Sequence, residues 1–488
     1  MLFRSCRNQR TFTGTPALVV IRGVLYVLCG AADREREILG YQYDHISSRW
    51  TPCDDVSGGR AASGVSATSL GDETYLGFIQ DRPGNTKRAA YVSAFVDGKW
   101  QPQEAVAGQS AAGAPQIAIL NGRMHCIFND ESETGDLRWY SRPVLSYSPS
   151  SWMGDIADDA LISHLTIPGT HDSCARSNFP FVRTQYLSIT QQLALGIRFL
   201  DLRLRLHDDG NLFCYHGGVP LGYPPGLSFT SVMDEVWIFL RGPDGTGPTT
   251  ETVLVSINND NHSPDQHTNP APFYRAVESA IAATSHYPDG IRKWFVGPGT
   301  PALGQARGRA ILLRRYKGDP ALDPRVCQGL DLSRWLNNNP EFTIVTPTNI
   351  KIHLQDKWRY AQRITLAQLV TSKSGHVQQL MERTADGGPA APTGGREGDD
   401  WFINFCSAVG DPAEHGEVAE PKWIAVGAHS DWIGKWVVGM NVRTRDYIQG
   451  LQNQSTGTSK RRLGIVILDY PELPLGNDLV ERLVEMNF

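Results

Sequence analysis

At 488 residues the chain is long enough for two or three domains of roughly 100–200 residues each. A net charge of -5, with 20% of residues charged, excludes a protein that holds polyanions by bulk charge. A hydrophobic share of 41% excludes wholesale disorder. The cysteines (Cys6, Cys29, Cys53, Cys126, Cys174, Cys214, Cys327 and Cys406) stand singly, with no CxxC and no zinc spacing, and read as mostly free thiols in a reducing compartment. No run reaches the roughly 18 apolar residues that span a bilayer. Arg4, Arg7 and Arg10 ahead of Val24–Ala32 imitate a signal peptide, but the same run fits a strand of the repeats below. The expected location is cytoplasmic or peripheral to a membrane, with secretion left open.

The N-terminal part repeats. Gly23-Val24-Leu25-Tyr26, Asp72-Glu73-Thr74-Tyr75 and Gly122-Arg123-Met124-His125 recur at a spacing of about fifty residues. Each follows an apolar strand-like run: Ala17–Ile21, Gly64–Leu70 and Gln116–Leu120. Aromatic strands come next, Gly40–Tyr43, Tyr91–Phe95 and Leu137–Tyr140, and each unit closes on a tryptophan, Trp50, Trp100 or Trp152. Short alternating strands at this period predict four-stranded propeller blades over residues 1–153, and they resemble lectin-type propellers. Propellers close with about four to eight blades. Three therefore imply pairing of two chains into a homodimer of six blades, loss of N-terminal blades, or a different all-β arrangement. The tryptophans read first as blade-core packing and second as sugar-stacking groups for a carbohydrate ligand.

From 154 to 488 the pattern changes to strands alternating with helix-length segments. Predicted strands are Ile197–Leu202, Thr252–Ile257, Ala310–Leu313, Ile350–Leu354, Trp401–Phe405 and Gly464–Leu468, and predicted helices are Phe229–Leu240, Pro272–Ala283 and Leu366–Arg383. Such alternation implies a parallel sheet closing toward a β/α barrel. The fold class expected for the whole chain is α/β, an incomplete TIM-type barrel preceded by about three propeller-like blades. Thr384–Asp400, rich in Gly and Pro, reads as a surface insertion.

Barrel chemistry sits at the C-terminal ends of strands. His171 and Asp172 follow a first short strand, Leu165–Ile167. Asp201, Arg203 and Arg205 share one face of the next, because side chains alternate with period two. Leu212–His216 ends a further strand on His216, ahead of Gly217-Gly218. Two imidazoles and a guanidinium suit phosphodiester cleavage: one base, one acid, and one cation for charge building on phosphate oxygens. The residues alone leave a plainer reading open, with turn histidines and a structural Asp201–arginine ion pair.

These segments resemble the phosphatidylinositol-specific phospholipase C X-domain family, in its compact bacterial type. The resemblance rests on Ile167-Pro168-Gly169-Thr170-His171-Asp172-Ser173, Gly196–Arg203, Tyr215-His216-Gly217, Ala306–Arg309, Leu312–Tyr316, Gln355-Asp356-Lys357-Trp358, Ile403-Asn404-Phe405 and Ile467–Tyr470. It implies an enzyme cleaving phosphatidylinositol, or a glycosylated anchor lipid, to diacylglycerol and inositol 1,2-cyclic phosphate. By that resemblance His171 is the general base with Asp469 behind it, and His216 the general acid paired with Asp172. Arg203 is the phosphate clamp with Asp201 as its supporting carboxylate. Arg315 and Asp356 bind inositol hydroxyls, and Trp358 lies under the ring.

Arg203 stands where calcium-dependent relatives carry acidic ligands, which predicts metal independence and no cofactor. Asn258-Asn259-Asp260 stands where the bacterial type carries a lysine, which leaves the exact headgroup open. The partner implied is a phosphoinositide lipid at a membrane surface, not nucleic acid. Rim candidates are Phe179-Pro180-Phe181, Leu221–Leu227 with Tyr223, and Trp432 with Trp436. No basic patch is evident in the sequence, so tight binding to anionic membranes is not expected. Two other functions compete: a carbohydrate-binding propeller on a degenerate barrel, and a metal-dependent glycerophosphodiesterase.

Overall fold

A computed structural model describes residues 12–488 except 22–23, 33–36, 45–46, 48, 54–59, 71–72, 82–87, 97–98, 102, 121–122, 131–134, 145–146, 225, 248–249, 261–268, 361–363, 387–398, 411–419, 431–432, 455–461 and 476. The chain forms two compact units, Met1–Ser148 with Leu475–Asp478, and Pro149–Pro474 with Leu479–Phe488. Most of the expected Gly/Pro-rich insertion, the Arg4–Arg10 cluster and Trp432 lie outside the described residues.

In the first unit each sequence repeat becomes one antiparallel sheet. Phe12–Ile21, Val24–Ala31, Ile38–Asp44 and Arg49–Cys53 form the first, and Gln116–Leu120, Arg123–Asn129 and Leu137–Pro143 the last. Between them in sequence, Val65–Leu70, Glu73–Asp81, Arg88–Val96 and Lys99–Trp100 pair in order, with Glu104–Ser110 added beside Arg88–Val96. The run that imitated a signal peptide is the strand Val24–Ala31. Strict alternation gives each sheet two faces. Ala17, Val19, Leu28 and Ile38 of the first sheet pack on Val65, Leu76 and Phe78 of the second. The second sheet's opposite face, with Tyr75, Ile79, Ala90 and Val92, packs on Met124, Cys126 and Phe128 of the third. The third sheet has three strands and leaves Leu120, Leu137 and Trp139 exposed.

Trp50 and Trp100 sit directly opposite Tyr43 and Phe95 across a strand pair, with ring centroids 5.1 and 5.3 Å apart. Trp152 does otherwise, a correction to the repeat. It lies in the 3-10 helix Pro149–Asp155 of the second unit, wholly buried, and its indole N–H donates to Gly196 O. The period of fifty carried an accidental third tryptophan, because Trp152 packs beneath Arg198 rather than against a blade strand.

The second unit is built on a curled sheet. Its parallel run is Trp294–Phe295, Ala310–Arg314, Val253–Asn259, Phe199–Leu206, Ile167–Thr170, Ile465–Leu468, Trp401–Phe405 and Lys351–Gln355, and Phe342–Val345 joins antiparallel at the far edge. Val253, Leu254, Val255 and Ile257 are all fully buried, as strands covered on both faces must be. Helices Phe229–Arg241, Ala271–Ala283 and Leu366–Asp386 lie between strands in sequence, as the alternation of strands with helix-length segments predicted. This is a TIM-type barrel left incomplete: among the described residues its two edge strands do not pair. Leu212–His216, expected only as a further strand, returns antiparallel on Phe199–Leu206 as a hairpin.

Candidate active site

Register brings the site together. Thr170 pairs with Leu468 on one side and Leu200 on the other, so the next residues, His171, Asp469 and Asp201, emerge side by side at the same sheet edge. Gly169 allows this approach, because a Cβ there would meet Phe199 at 2.9 Å. Asp172 turns out of the strand in the left-handed region, at φ 41, which Asp tolerates better than most residues. Gln192, on the helix Ile189–Leu195, accepts from the Thr170 hydroxyl at 2.7 Å and donates to Ser173 O at 2.9 Å, holding the turn from beneath.

His171 has a partner at each nitrogen. Nδ1 faces Asp469 Oδ1 at 2.9 Å. Nε2 lies 3.1 Å from Asp172 Oδ2 and 3.0 Å from a terminal nitrogen of Arg203. A guanidinium only donates and a carboxylate only accepts, so a neutral Nε2 is served by Arg203 and a protonated one by Asp172. Both states of a group that takes up a proton therefore have a partner in place. Burial alone would lower the His171 pKa from 6.5, but Asp172 and Asp469 outweigh it and hold it up at about 10. Burial likewise favours neutral Asp172, yet Arg203 and the two histidines keep its carboxyl well below the usual range. Asp469, with burial dominant over the His171 charge, is raised.

His216 approaches from the hairpin. Its Nδ1 donates to Val182 O at 2.6 Å, which fixes the tautomer and turns Nε2 toward Asp172 Oδ2, 3.1 Å away. Gly217 and Gly218, at φ 56 and 90, let the chain reverse directly after it. Asp172 thus faces both imidazoles and, at 2.6 Å, the Nε of Arg203. Neither of its buried oxygens has a well-aligned hydrogen bond, so these pairings are coulombic and open to re-aiming by a bound ligand.

The remaining expected residues connect to this cluster in a different pattern from the one anticipated. Asp201 pairs with Arg315 at 3.0 Å, whereas Arg203 pairs with Asp172. The cause is register: Asp201 lies deeper on its strand, opposite Ser256, within reach of the neighbouring strand end that carries Arg315. The Arg315 guanidinium stacks over Trp335 at 3.8 Å, and the Trp335 indole donates to Asp356 Oδ2 at 2.7 Å. Trp335 therefore joins Arg315 to Asp356, a role the sequence did not signal because it lies in an irregular segment outside every motif. Phe405, part of the Ile403-Asn404-Phe405 motif but given no role there, stands edge-on to His171 at 6.0 Å. Trp358 stands two residues past Asp356 and donates to Asn337 Oδ1 at 2.8 Å.

His171, Asp172 and Asp201 present ligand atoms close enough together to hold a cation. The Arg203 guanidinium already occupies the space between the first two, so a metal ion would have to displace a fixed positive charge. The donor set fits an arginine site better than a metal site.

Several of the expected rim groups are exposed. Tyr223 is 91% exposed and Phe179 67%, with Phe181, Tyr186 and Trp436 also exposed. Leu221 is buried and belongs to the core. Arg183 and Lys422 lie over the Tyr186 ring at 4.8 and 5.1 Å, and Arg176 donates to the Tyr186 carbonyl. Cations scattered in the sequence therefore gather around Tyr186. No helix among the described residues is long and apolar enough to cross a membrane.

Residues 159–220 match the PI-PLC X family model. The 1-phosphatidylinositol phosphodiesterase of Listeria monocytogenes is 26% identical over 182 residues, 36% of this chain and 51% of the relative. The enzyme of the same name from Staphylococcus aureus strain Newman is 24% identical over 233 residues, 45% of this chain and 69% of the relative. The chain thus spans about half the length of the first relative. A solved structure of the S. aureus phosphatidylinositol-specific phospholipase C, described with reference to its membrane binding, superposes with a TM-score of 0.50 at 20% identity, covering 70% of this chain and 98% of that one. Motif, register and fold agree: residues 159–220 carry the PI-PLC X match, and the barrel of this chain is similar in fold to the bacterial phosphatidylinositol-specific phospholipases C.

Proposed function

We propose that the barrel is a phospholipase C that cleaves phosphatidylinositol to diacylglycerol and inositol 1,2-cyclic phosphate. One observation carries the reading: Asp172 faces His171, His216 and Arg203 together, within 3.1, 3.1 and 2.6 Å. Neutral His171 takes the proton of the inositol 2-hydroxyl at Nε2, while Asp469 at Nδ1 stabilises the imidazolium formed. The 2-oxygen bonds to phosphorus, and the bond from phosphorus to the glycerol oxygen breaks as His216 delivers a proton to that oxygen. Arg203 supports the charge on the phosphate oxygens, with Asp201 behind Arg315 on the headgroup side. Arg315 and Asp356 hydrogen-bond ring hydroxyls, and Trp358 borders the ring. No step calls for a metal.

The test is ³¹P NMR of the full chain with phosphatidylinositol in mixed micelles containing EDTA. A five-membered cyclic phosphate is the expected product. Product only after magnesium or calcium is restored would favour the metal-dependent alternative, for which the grouping of His171, Asp172 and Asp201 is the support among the described residues. No product under either condition overturns the reading.

The headgroup is phosphatidylinositol or a glycosylated form of it, and Asn258, next to Arg203 in register, replaces the family's lysine. The substrate surface is a membrane, met peripherally through Tyr223, Phe179 and Phe181. For residues 1–153 the reading is a propeller-like lectin module taking a carbohydrate, on the strength of exposed Trp139 stacked with His125 at 5.8 Å and 7°. The outer faces of the first and third sheets, which leave Leu18 and Val20, and Leu120, Leu137 and Trp139, exposed, are offered to a second copy of the chain. A glycan array and sedimentation of the full chain test these two points.

A further inference from the structure

Lys373 is a fully buried ammonium on the helix Leu366–Asp386, and the proposed proton transfers do not use it. A methionine would fill the same space with no charge to desolvate, so the cation is retained for what it holds. Its Nζ donates to Gln355 Oε1 at 3.0 Å and to Lys357 O at 2.7 Å. Those are the residues on either side of Asp356. Gln355 Oε1 also accepts from Lys357 N at 2.8 Å, so the turn folds around one side-chain oxygen that the ammonium fixes.

The same glutamine reaches across the sheet. Gln355 Nε2 donates to Asn404 Oδ1 at 2.8 Å and to Phe405 O at 2.7 Å, and Asn404 Nδ2 returns to Val377 O at 2.9 Å. Val377 is one helical turn beyond Lys373, so the network is a closed circuit from helix to turn to neighbouring strand and back. Asp356 is held further by its own amide, which donates to Asn339 O at 2.9 Å, and by the Trp335 indole. Burial lowers the Lys373 pKa to about 8, with Asp356 opposing that fall, so the ammonium keeps its proton at neutral pH.

We infer that Lys373 is a positioning residue for headgroup recognition: it sets the turn that aims Asp356 at the inositol ring. This rests on the phospholipase C reading above. Lys373 touches neither the phosphate nor the acid–base pair, so its loss is felt in substrate binding before turnover.

The test is steady-state kinetics of Lys373→Met, Asp356→Asn and the double variant on phosphatidylinositol in mixed micelles, with far-UV circular dichroism as the check on folding. The expected result is a KM raised about tenfold in Lys373→Met with kcat within about threefold of wild type. The double variant should show no KM increase beyond that of Asp356→Asn, since residues acting through one another do not add. A fallen kcat at unchanged KM, additive KM effects, or wild-type kinetics in Lys373→Met each overturn the inference. If Lys373→Met fails to fold, Lys373→Gln, neutral and shorter but still a donor, is judged by the same criteria. A wild type that forms no cyclic product fails the phospholipase reading itself, whereas a productive wild type with indifferent Lys373 variants fails only this inference.

Discussion

His171 Nδ1 lies 2.9 Å from Asp469 Oδ1, although 298 residues separate them in the chain. Adjacent parallel strands place them there, and the carboxylate makes the imidazole a stronger base. Because the folded pKa of His171 is raised from 6.5 to about 10, the base form is the minor one near neutrality. The acid limb of kcat/KM for the free enzyme should therefore lie above 6.5. Asp469→Asn should move that limb down and lower the maximal rate by about 10²-fold or more. A pH–rate profile of both proteins checks this, and an unmoved limb counts against the pairing.

The same shift makes a stability prediction. A group whose pKa is raised on folding stabilises the native state fully below its unfolded value, near 6.5, and that contribution is lost as pH rises through about 10. His171→Gln should flatten this segment of the curve of melting temperature against pH. An identical slope in both proteins would remove His171 as the source.

In the proposed mechanism His216 protonates the leaving group. His216→Ala should reduce turnover of phosphatidylinositol by about 10²- to 10⁴-fold. On an inositol aryl phosphate, whose phenolate leaves without a proton, the loss should be far smaller. Equal losses on the two substrates would argue that His216 is not the acid.

Arg203 presents Nε to Asp172 and a terminal nitrogen to His171, two directions that one ammonium cannot serve. Arg203→Lys should lower kcat by about 10²- to 10³-fold with an unchanged melting temperature. Wild-type turnover in this variant would show that charge alone suffices.

Arg198 supports the barrel rather than the chemistry. It is fully buried, pairs with Glu251 at 2.7 Å, and donates to Leu193 O, Ile197 O and Pro149 O. Arg198→Met leaves Glu251 buried and uncompensated, which should cost about 3–5 kcal/mol in urea unfolding. A loss under 1 kcal/mol would mean that the carboxylate finds another partner or takes up a proton.

Strands and helices of the barrel were legible because the pattern is local: short apolar runs mark strands covered on both faces, and the helix-length segments between them mark the helices. His171, Asp172, Arg203 and His216 were legible because they fall within about fifty residues and carry a family motif. Trp152 was misread because a tryptophan at the right spacing carries no mark of which core it enters. The direction of Leu212–His216 was not legible, because an apolar run does not state which way its strand pairs.

The sequence by itself determined the alternation of sheets and helices, the three repeats, and the residue types able to move a proton at a phosphate. Tertiary structure alone decided that Asp172 is shared by both histidines, that Asp201 serves Arg315, that Trp335 couples Arg315 to Asp356, and that Lys373 stands behind that turn. The reason is physical. Hydrogen-bond and charge partners are selected by distances of about 3 Å between side chains on different strands, and those distances follow from register and burial, which no local pattern encodes.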